Sequence, residues 1–213
     1  MEQKHRSISL ADQVFEQLEN DILSGKYPRG EMLTEQKLSA ELGVSRTPIR
    51  EALRRLAQEH IIKESTKGSI VEGISEDDVR DILNIRILLE GTAAAMTAAN
   101  ITDEQLAELK ETLDLQEFYF ERDNSENARI MDSKFHQLIY EFCGSMIYYH
   151  TMIPLHRKIQ KYRKVTFENH GLGTVSIKEH HKIYEAIAAH DTEAAAEIMT
   201  EHVKNAKKRI LGE

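Results

Sequence analysis

The stretch Leu42-Gly43-Val44-Ser45-Arg46-Thr47-Pro48-Ile49-Arg50-Glu51-Ala52-Leu53 reads as a tight turn feeding an amphipathic helix. Gly43 stops a short helix over about 35–42 that Thr34 caps. Pro48 falls in the first turn of a helix over about 46–58, where its missing N–H leaves no bond unmade. Ile49, Ala52, Leu53 and Leu56 share one face of that helix, and Arg46, Arg50 and Arg54, four apart, share the other. Upstream, Ser9 with Asp12 three residues on is a capping-box variant. Leu10, Val14, Leu18 and Ile22 form one apolar stripe of a first helix that Gly25 ends. Downstream, Ile61-Ile62-Lys63-Glu64 and Ser69-Ile70-Val71-Glu72 flank the polar turn Ser65-Thr66-Lys67-Gly68, the pattern of a β-hairpin. A helix-turn-helix followed by a hairpin predicts a winged helix-turn-helix over residues 1–74.

The chain has 213 residues and a formal net charge of −8. The charge is unevenly divided. Residues 1–74 hold 11 Lys and Arg against 12 Asp and Glu, whereas 75–213 hold 17 against 24. Within 46–55, Arg46, Arg50, Arg54 and Arg55 face only Glu51, and a DNA binder needs a local basic surface rather than a basic chain. One cysteine, Cys143, excludes an internal disulfide framework and fits a reducing cytoplasm. The N-terminus lacks an apolar signal region, and no run of 18 apolar residues is present, so neither secretion nor a membrane span is expected.

From a short linker near Gly73-Ile74-Ser75 onward the pattern is helical. Helices fit about 76–99, 103–121, 125–143, 145–165, 175–190 and 192–211, with breaks at Asn100, Asn124, Gly144, 169–173 and Asp191. Six helices joined by short loops predict an antiparallel all-helical bundle over 75–213. The fold class is mainly α: an N-terminal winged helix-turn-helix and a C-terminal bundle.

Arginine forks on an exposed helical face bind phosphate or pair bidentately with guanine. Thr47 can reach phosphate or a thymine methyl, and Lys67 and Gly68 sit at the hairpin tip. The alternative is a solvated arginine stripe. The run 42–53, with Leu33-Thr34-Glu35-Gln36-Lys37-Leu38 before it, resembles the signature of GntR-family winged-helix regulators. The resemblance implies operator contacts by Arg46 and Arg50 and by the wing glycine, Gly68. Two positions depart from the family: His60 stands where glycine is usual, and Gln36 where the fatty-acid-responsive member carries arginine. Histidine tolerates a positive φ, so the turn at His60 can survive.

Asp132 and His136 lie one helical turn apart, and His180 and His202 fall on later helices. Imidazoles with one carboxylate suit zinc and other divalent ions if the helices converge. Arg86-Ile87-Leu88-Leu89-Glu90, the segment 132–136, and Glu179-His180 with Ala186 to Asp191 and His202 resemble the FCD effector domain of the FadR branch, in its six-helix VanR-like form. The resemblance implies a divalent metal, zinc or else nickel or manganese, held by Asp132, His136, His180 and His202. It also implies a small carboxylate effector beside the metal. Arg86 has two readings, a salt bridge to Glu90 or a clamp on that carboxylate. His150, His156, His170, His181 and His190 read as non-ligands, and Cys143 as core.

These readings converge on a cytoplasmic homodimeric regulator, a repressor rather than an enzyme. Its partners are a short palindromic double-stranded DNA operator and a small organic acid, with no membrane partner. Two alternatives stand beside it: a regulator for which the ion itself is the signal, and a metal-dependent hydrolase. The hydrolase reading lacks an H-E-x-x-H motif and leaves the winged helix without a purpose.

Overall fold

Ser9 opens the first helix, α1 (Leu10–Leu23), with a complete capping box: its hydroxyl accepts from Asp12 N–H, and the Asp12 carboxylate accepts from Ser9. The computed structural model describes residues 9–163 and 168–213. Thr34 caps α2 (Glu35–Leu42), and Gly43 ends it in the left-handed region at φ 67°. The third helix, α3 (Arg46–Gln58), follows directly. His60 does adopt a positive φ, 58°, so the departure from glycine leaves the turn intact.

The hairpin strands are β2 (Ile62–Ser65) and β3 (Gly68–Val71), and they pair in antiparallel register Ile62↔Val71 to Ser65↔Gly68. A third strand, β1 (Met32–Leu33), joins the other edge of β3, giving the order β1-β3-β2. Two residues are too short to show an alternating pattern, so β1 was invisible to periodicity. The helices and sheet close over Phe15, Leu18, Leu33, Leu38, Ile49, Leu56 and Ile61, all fully buried. Each such side chain contributes about 1.5–3 kcal/mol by leaving water. The chain divides into two compact units, Met1–Ser75 and Glu76–Glu213.

In the second unit the helices are α4 (Glu76–Asn100), α5 (Asp103–Phe120), α6 (Ser125–Phe142), α7 (Met146–Lys158), α8 (His170–Ala188) and α9 (Thr192–Leu211). A 3-10 turn, Gln160–Arg163, follows α7. The helix expected to run to 165 therefore stops at Lys158, and residues 164–165 of that expectation lie outside the described residues.

Helix α8 also starts five residues earlier than expected. Asn169 caps it by accepting from Gly171 and Leu172 N–H, so the glycines there sit inside the helix rather than before it. At Gly173 the reason is packing: a Cβ would lie 2.3 Å from the Phe120 ring. A similar contact seats α9 on α4, where a Cβ on Gly91 would lie 2.3 Å from Thr200 Oγ1 and 2.8 Å from Ala196 O. Thr97 Oγ1 donates to Ala93 O and Ile139 O, tying α4 to α6. By length and composition alone α4 is apolar enough to cross a membrane. Here it is a core helix, burying Val79, Leu83, Ala93, Ala94 and Ala98 along with Arg86 and Glu90.

Candidate DNA interface and candidate metal centre

On α3, Ile49, Ala52, Leu53 and Leu56 are buried and Arg46, Thr47, Arg50 and Arg54 are exposed. The inward and outward faces therefore fall as the spacing predicts. Arg50 is not idle in this state. Its Nε and Nη2 bond both Glu35 carboxylate oxygens, at 2.7 and 2.8 Å, and Glu35 is the first residue of α2. That bidentate bond holds the Glu35 carboxyl below its ordinary range, with Arg46 nearby adding to the effect. Sequence reading overlooked Glu35 because its partner is fifteen residues away on another helix. At the wing, Lys67 is exposed. Gly68 has a structural duty beside any contact with DNA. Its φ is 145°, and a Cβ there would lie 2.6 Å from Leu33 O on β1.

In the second unit the geometry converges on three imidazoles. His136 from α6, His180 from α8 and His202 from α9 are essentially inaccessible to solvent. Their Nε2 atoms meet: His202 lies 3.3 Å from His136 and 3.3 Å from His180. Each ring is turned by a bond at its other nitrogen. His136 Nδ1 bonds Glu90 Oε2 at 3.0 Å, His180 Nδ1 bonds Gln116 Oε1 at 2.8 Å, and His202 Nδ1 bonds Glu179 Oε2 at 2.7 Å. Carboxylate and amide oxygens only accept, so the proton of each neutral ring sits on Nδ1 and the lone pair on Nε2. Three lone pairs aimed at one point repel one another unless a cation lies between them. The Phe135 ring, stacked on His180 at 4.5 Å, fixes that imidazole further.

Asp132, the fourth residue read from sequence, lies next to this cluster. It is buried one turn from His136 on α6, with Oδ1 3.6 Å from His180 Nε2 and 3.5 Å from Gln116 Nε2. The three histidines thus meet at one point, and Asp132, the fourth residue expected to bind metal, lies beside His180. Three nitrogens and one carboxylate fit a divalent ion such as zinc.

Arg86 shows the first of its two readings. It is buried and ion-paired through Nε with Glu90 Oε1. The same oxygen accepts from Tyr140 OH at 2.7 Å. Burial works against the Glu90 charge, but Arg86 outweighs it and keeps the carboxyl below its ordinary value. Arg86 Nη1 is buried and has no hydrogen-bond partner among the described residues. At the far side, Glu179 also accepts from both Arg209 terminal nitrogens and from Asn205. Burial pushes its carboxyl up, yet His202 and Arg209 bring it down to about 2.

Sequence reading overlooked Glu90, Gln116 and Glu179 as ring partners; each lies on a helix other than the one carrying its histidine, or beside a more conspicuous residue. His156, read as a non-ligand, is buried with its ring 5.6 Å from that of His136. His181 pairs at the half-exposed edge with Glu117, and His190 bonds Ala98 O. Cys143 is buried, as expected of a core residue.

Comparison with known proteins gives this geometry a context. Residues 10–71 match the family model "Bacterial regulatory proteins, gntR family", and residues 81–205 match the FCD domain. The HTH-type transcriptional repressor RspR of Escherichia coli K12 is 28% identical over 199 residues, covering 93% of this chain and 87% of that protein. The gluconate operon transcriptional repressor of Bacillus subtilis is 30% identical over 118 residues, 55% of this chain and 49% of its own length. Among solved structures, E. coli McbR/YncC aligns with a TM-score of 0.82 at 25% identity, covering 96% of this chain and 98% of that one. These relatives are transcription regulators, which sets the hydrolase alternative aside. A gntR-type DNA-binding region precedes an FCD domain, and the chain belongs to the GntR family of DNA-binding transcription regulators with FCD domains.

Proposed function

We propose that this protein is a cytoplasmic homodimeric repressor whose hold on a short palindromic operator is set by a small organic acid bound beside a divalent metal. The convergence of His136, His180 and His202 through Nε2, with every Nδ1 occupied, carries the metal reading. Those three residues and Asp132 would hold the ion, and the ion would supply a Lewis-acidic anchor for a carboxylate. Arg86 supports the acid reading. Its guanidinium is buried and charged, and Nη1, with no hydrogen-bond partner among the described residues, is the donor a carboxylate oxygen would take. On the DNA side, Arg46, Thr47, Arg50 and Arg54 of α3, with Lys67 and Gly68 of the wing, form the reading surface. Two copies would read the two halves of the operator. The repressor-named relatives support the sign of the response.

An acid controls operator binding only if it binds the two states of the protein unequally. A thermal-shift screen of small organic acids, run on zinc-loaded and chelated protein, tests the reading. An acid that raises the melting temperature only when zinc is present is the expected result. A large shift from zinc with none from any acid would move the proposal to the alternative in which the ion is the signal. No shift from zinc would overturn the metal site.

A further inference from the structure

Glu90 is shared. Its Oε1 takes Arg86 Nε and Tyr140 OH, while its Oε2 takes the Nδ1–H of His136. All four side chains are buried, so water does not screen the charges between them. A carboxylate that accepts from the far nitrogen of a ligating imidazole makes that imidazole a stronger donor. A cation bound to the same carboxylate draws its charge the other way.

We infer that Glu90 sets the metal affinity of His136 under the control of Arg86, so that drawing Arg86 away from Glu90 tightens the metal. The inference rests on the metal reading above and names how that site is regulated. The other two imidazoles are differently placed. His180 leans on a neutral amide, Gln116. His202 leans on Glu179, but the cation there, Arg209, places two nitrogens on that carboxylate. Arg86 spends its Nε on Glu90 and leaves Nη1 without a partner among the described residues. An entering carboxylate can therefore engage Arg86 at Nη1 and shift its charge from Glu90. The acid then tightens the metal, and by reciprocity the metal tightens the acid by the same factor.

Glu90 is on this account a positioning residue, and its signature is a pair of opposite signs. Zinc affinity is measured on the full chain by competition with a chromophoric chelator. Glu90→Gln is expected to weaken zinc by roughly tenfold, the low end of the range for such partners. Arg86→Met is expected to tighten it severalfold, and Arg86→Lys, which keeps the charge, to return it toward wild type. Tyr140→Phe removes one hydroxyl from Glu90 with little change of volume and is expected to tighten zinc by a smaller factor. A structural role alone would weaken zinc in every variant, and that result overturns the inference. If Arg86→Met does not fold, Tyr140→Phe decides: a tighter site supports the inference, and an unchanged or weaker one overturns it. Wild-type protein that binds no zinc, or a His136→Ala variant that binds it as wild type does, overturns the metal reading itself and the inference with it. A wild-type site with normal zinc binding and no opposite signs defeats the inference alone.

Discussion

The molecule carries two polar clusters with opposite physics. The arginines of α3 are exposed, with Arg50 at 69% accessible, and they are spaced along one helix. The clustered histidines His136, His180 and His202 are buried, and they come from three helices. An exposed arginine is solvated, so it needs no partner to be tolerated, and among the described residues Arg50 bonds a neighbouring carboxylate. A buried imidazole needs a partner at each nitrogen. Glu90, Gln116 and Glu179 supply the Nδ1 partners, and the Nε2 atoms face one another, where an ion is proposed. The first cluster is therefore a surface that folding permits, whereas the second is a core whose polar groups folding must pair.

The widest gap between the clusters should appear on removing one member of each. His202→Ala deletes a ligand, and its effect on zinc affinity should exceed the roughly 100-fold upper end seen for outer-sphere partners. It should also leave Glu179 with Arg209 and Asn205 but without its imidazole. Zinc titration against a chelator measures it, and affinity within tenfold of wild type would remove His202 from the ligand set. Arg50→Ala comes next. A lost bidentate base contact is worth about 1–3 kcal/mol, roughly 5- to 150-fold in operator affinity. Titration against an operator selected from random DNA should show that loss with zinc binding unchanged. The logarithmic salt dependence should be steep in wild type, as expected where phosphates release counterions. Equal operator affinity would make the arginine face a mere solvated stripe.

The same contrast governs what was legible in the sequence. The arginine face, Thr34, Gly43 and the helix over 46–58 depend on neighbours within a turn or two, and local pattern reports such neighbours well. The proposed metal set was legible differently. Asp132 and His136 form a local pair, but nothing local links them to His180 and His202; the family resemblance did that. Glu90, Gln116 and Glu179 were not singled out as ring partners, because a buried glutamate reads like any other charged residue until its helix is placed. Likewise the glycines at 171–173 looked like a break, since helical glycine normally weakens a helix. Only the Phe120 ring packed against Gly173 explains why the helix keeps it.

Two glycines sharpen the comparison at the level of stability. Gly68 in the wing and Gly91 in α4 both lie where a Cβ would collide, with Leu33 O and with Thr200 Oγ1 respectively. Alanine at either should cost about 1–3 kcal/mol, the usual range for overpacking. Gly68→Ala adds backbone strain, because φ is 145° there. Gly91→Ala meets a packing clash without positive-φ strain: Thr200 can turn away, but Ala196 O at 2.8 Å is backbone, so α9 must shift slightly. Chemical denaturation of each variant should therefore show the larger loss for Gly68→Ala. A larger loss for Gly91→Ala would mean that the α4–α9 contact is the more rigid of the two.

The smallest expected effect concerns Glu35. Its carboxyl is held below the ordinary range chiefly by the Arg50 hydrogen bonds. A depressed carboxyl contributes stability that is present above its ordinary pKa and is lost as the pH falls toward the lowered one. The contribution is small, because both side chains are accessible to water and exposed ion pairs are worth little. The expected result is thus a slight acid-side loss of stability in the wild-type winged-helix unit that Glu35→Gln removes. The informative readout is DNA binding. Glu35 occupies the Nε–Nη2 edge of the guanidinium, one that a guanine or phosphate can use, and it adds a negative charge beside Arg50. If Glu35 competes with DNA for Arg50, Glu35→Gln should raise affinity for all sequences alike. If Glu35 instead holds Arg50 in the orientation that reads a base, the substitution should lower the ratio of specific to nonspecific binding. Measuring both affinities at one salt concentration separates the two, since only the second changes the ratio.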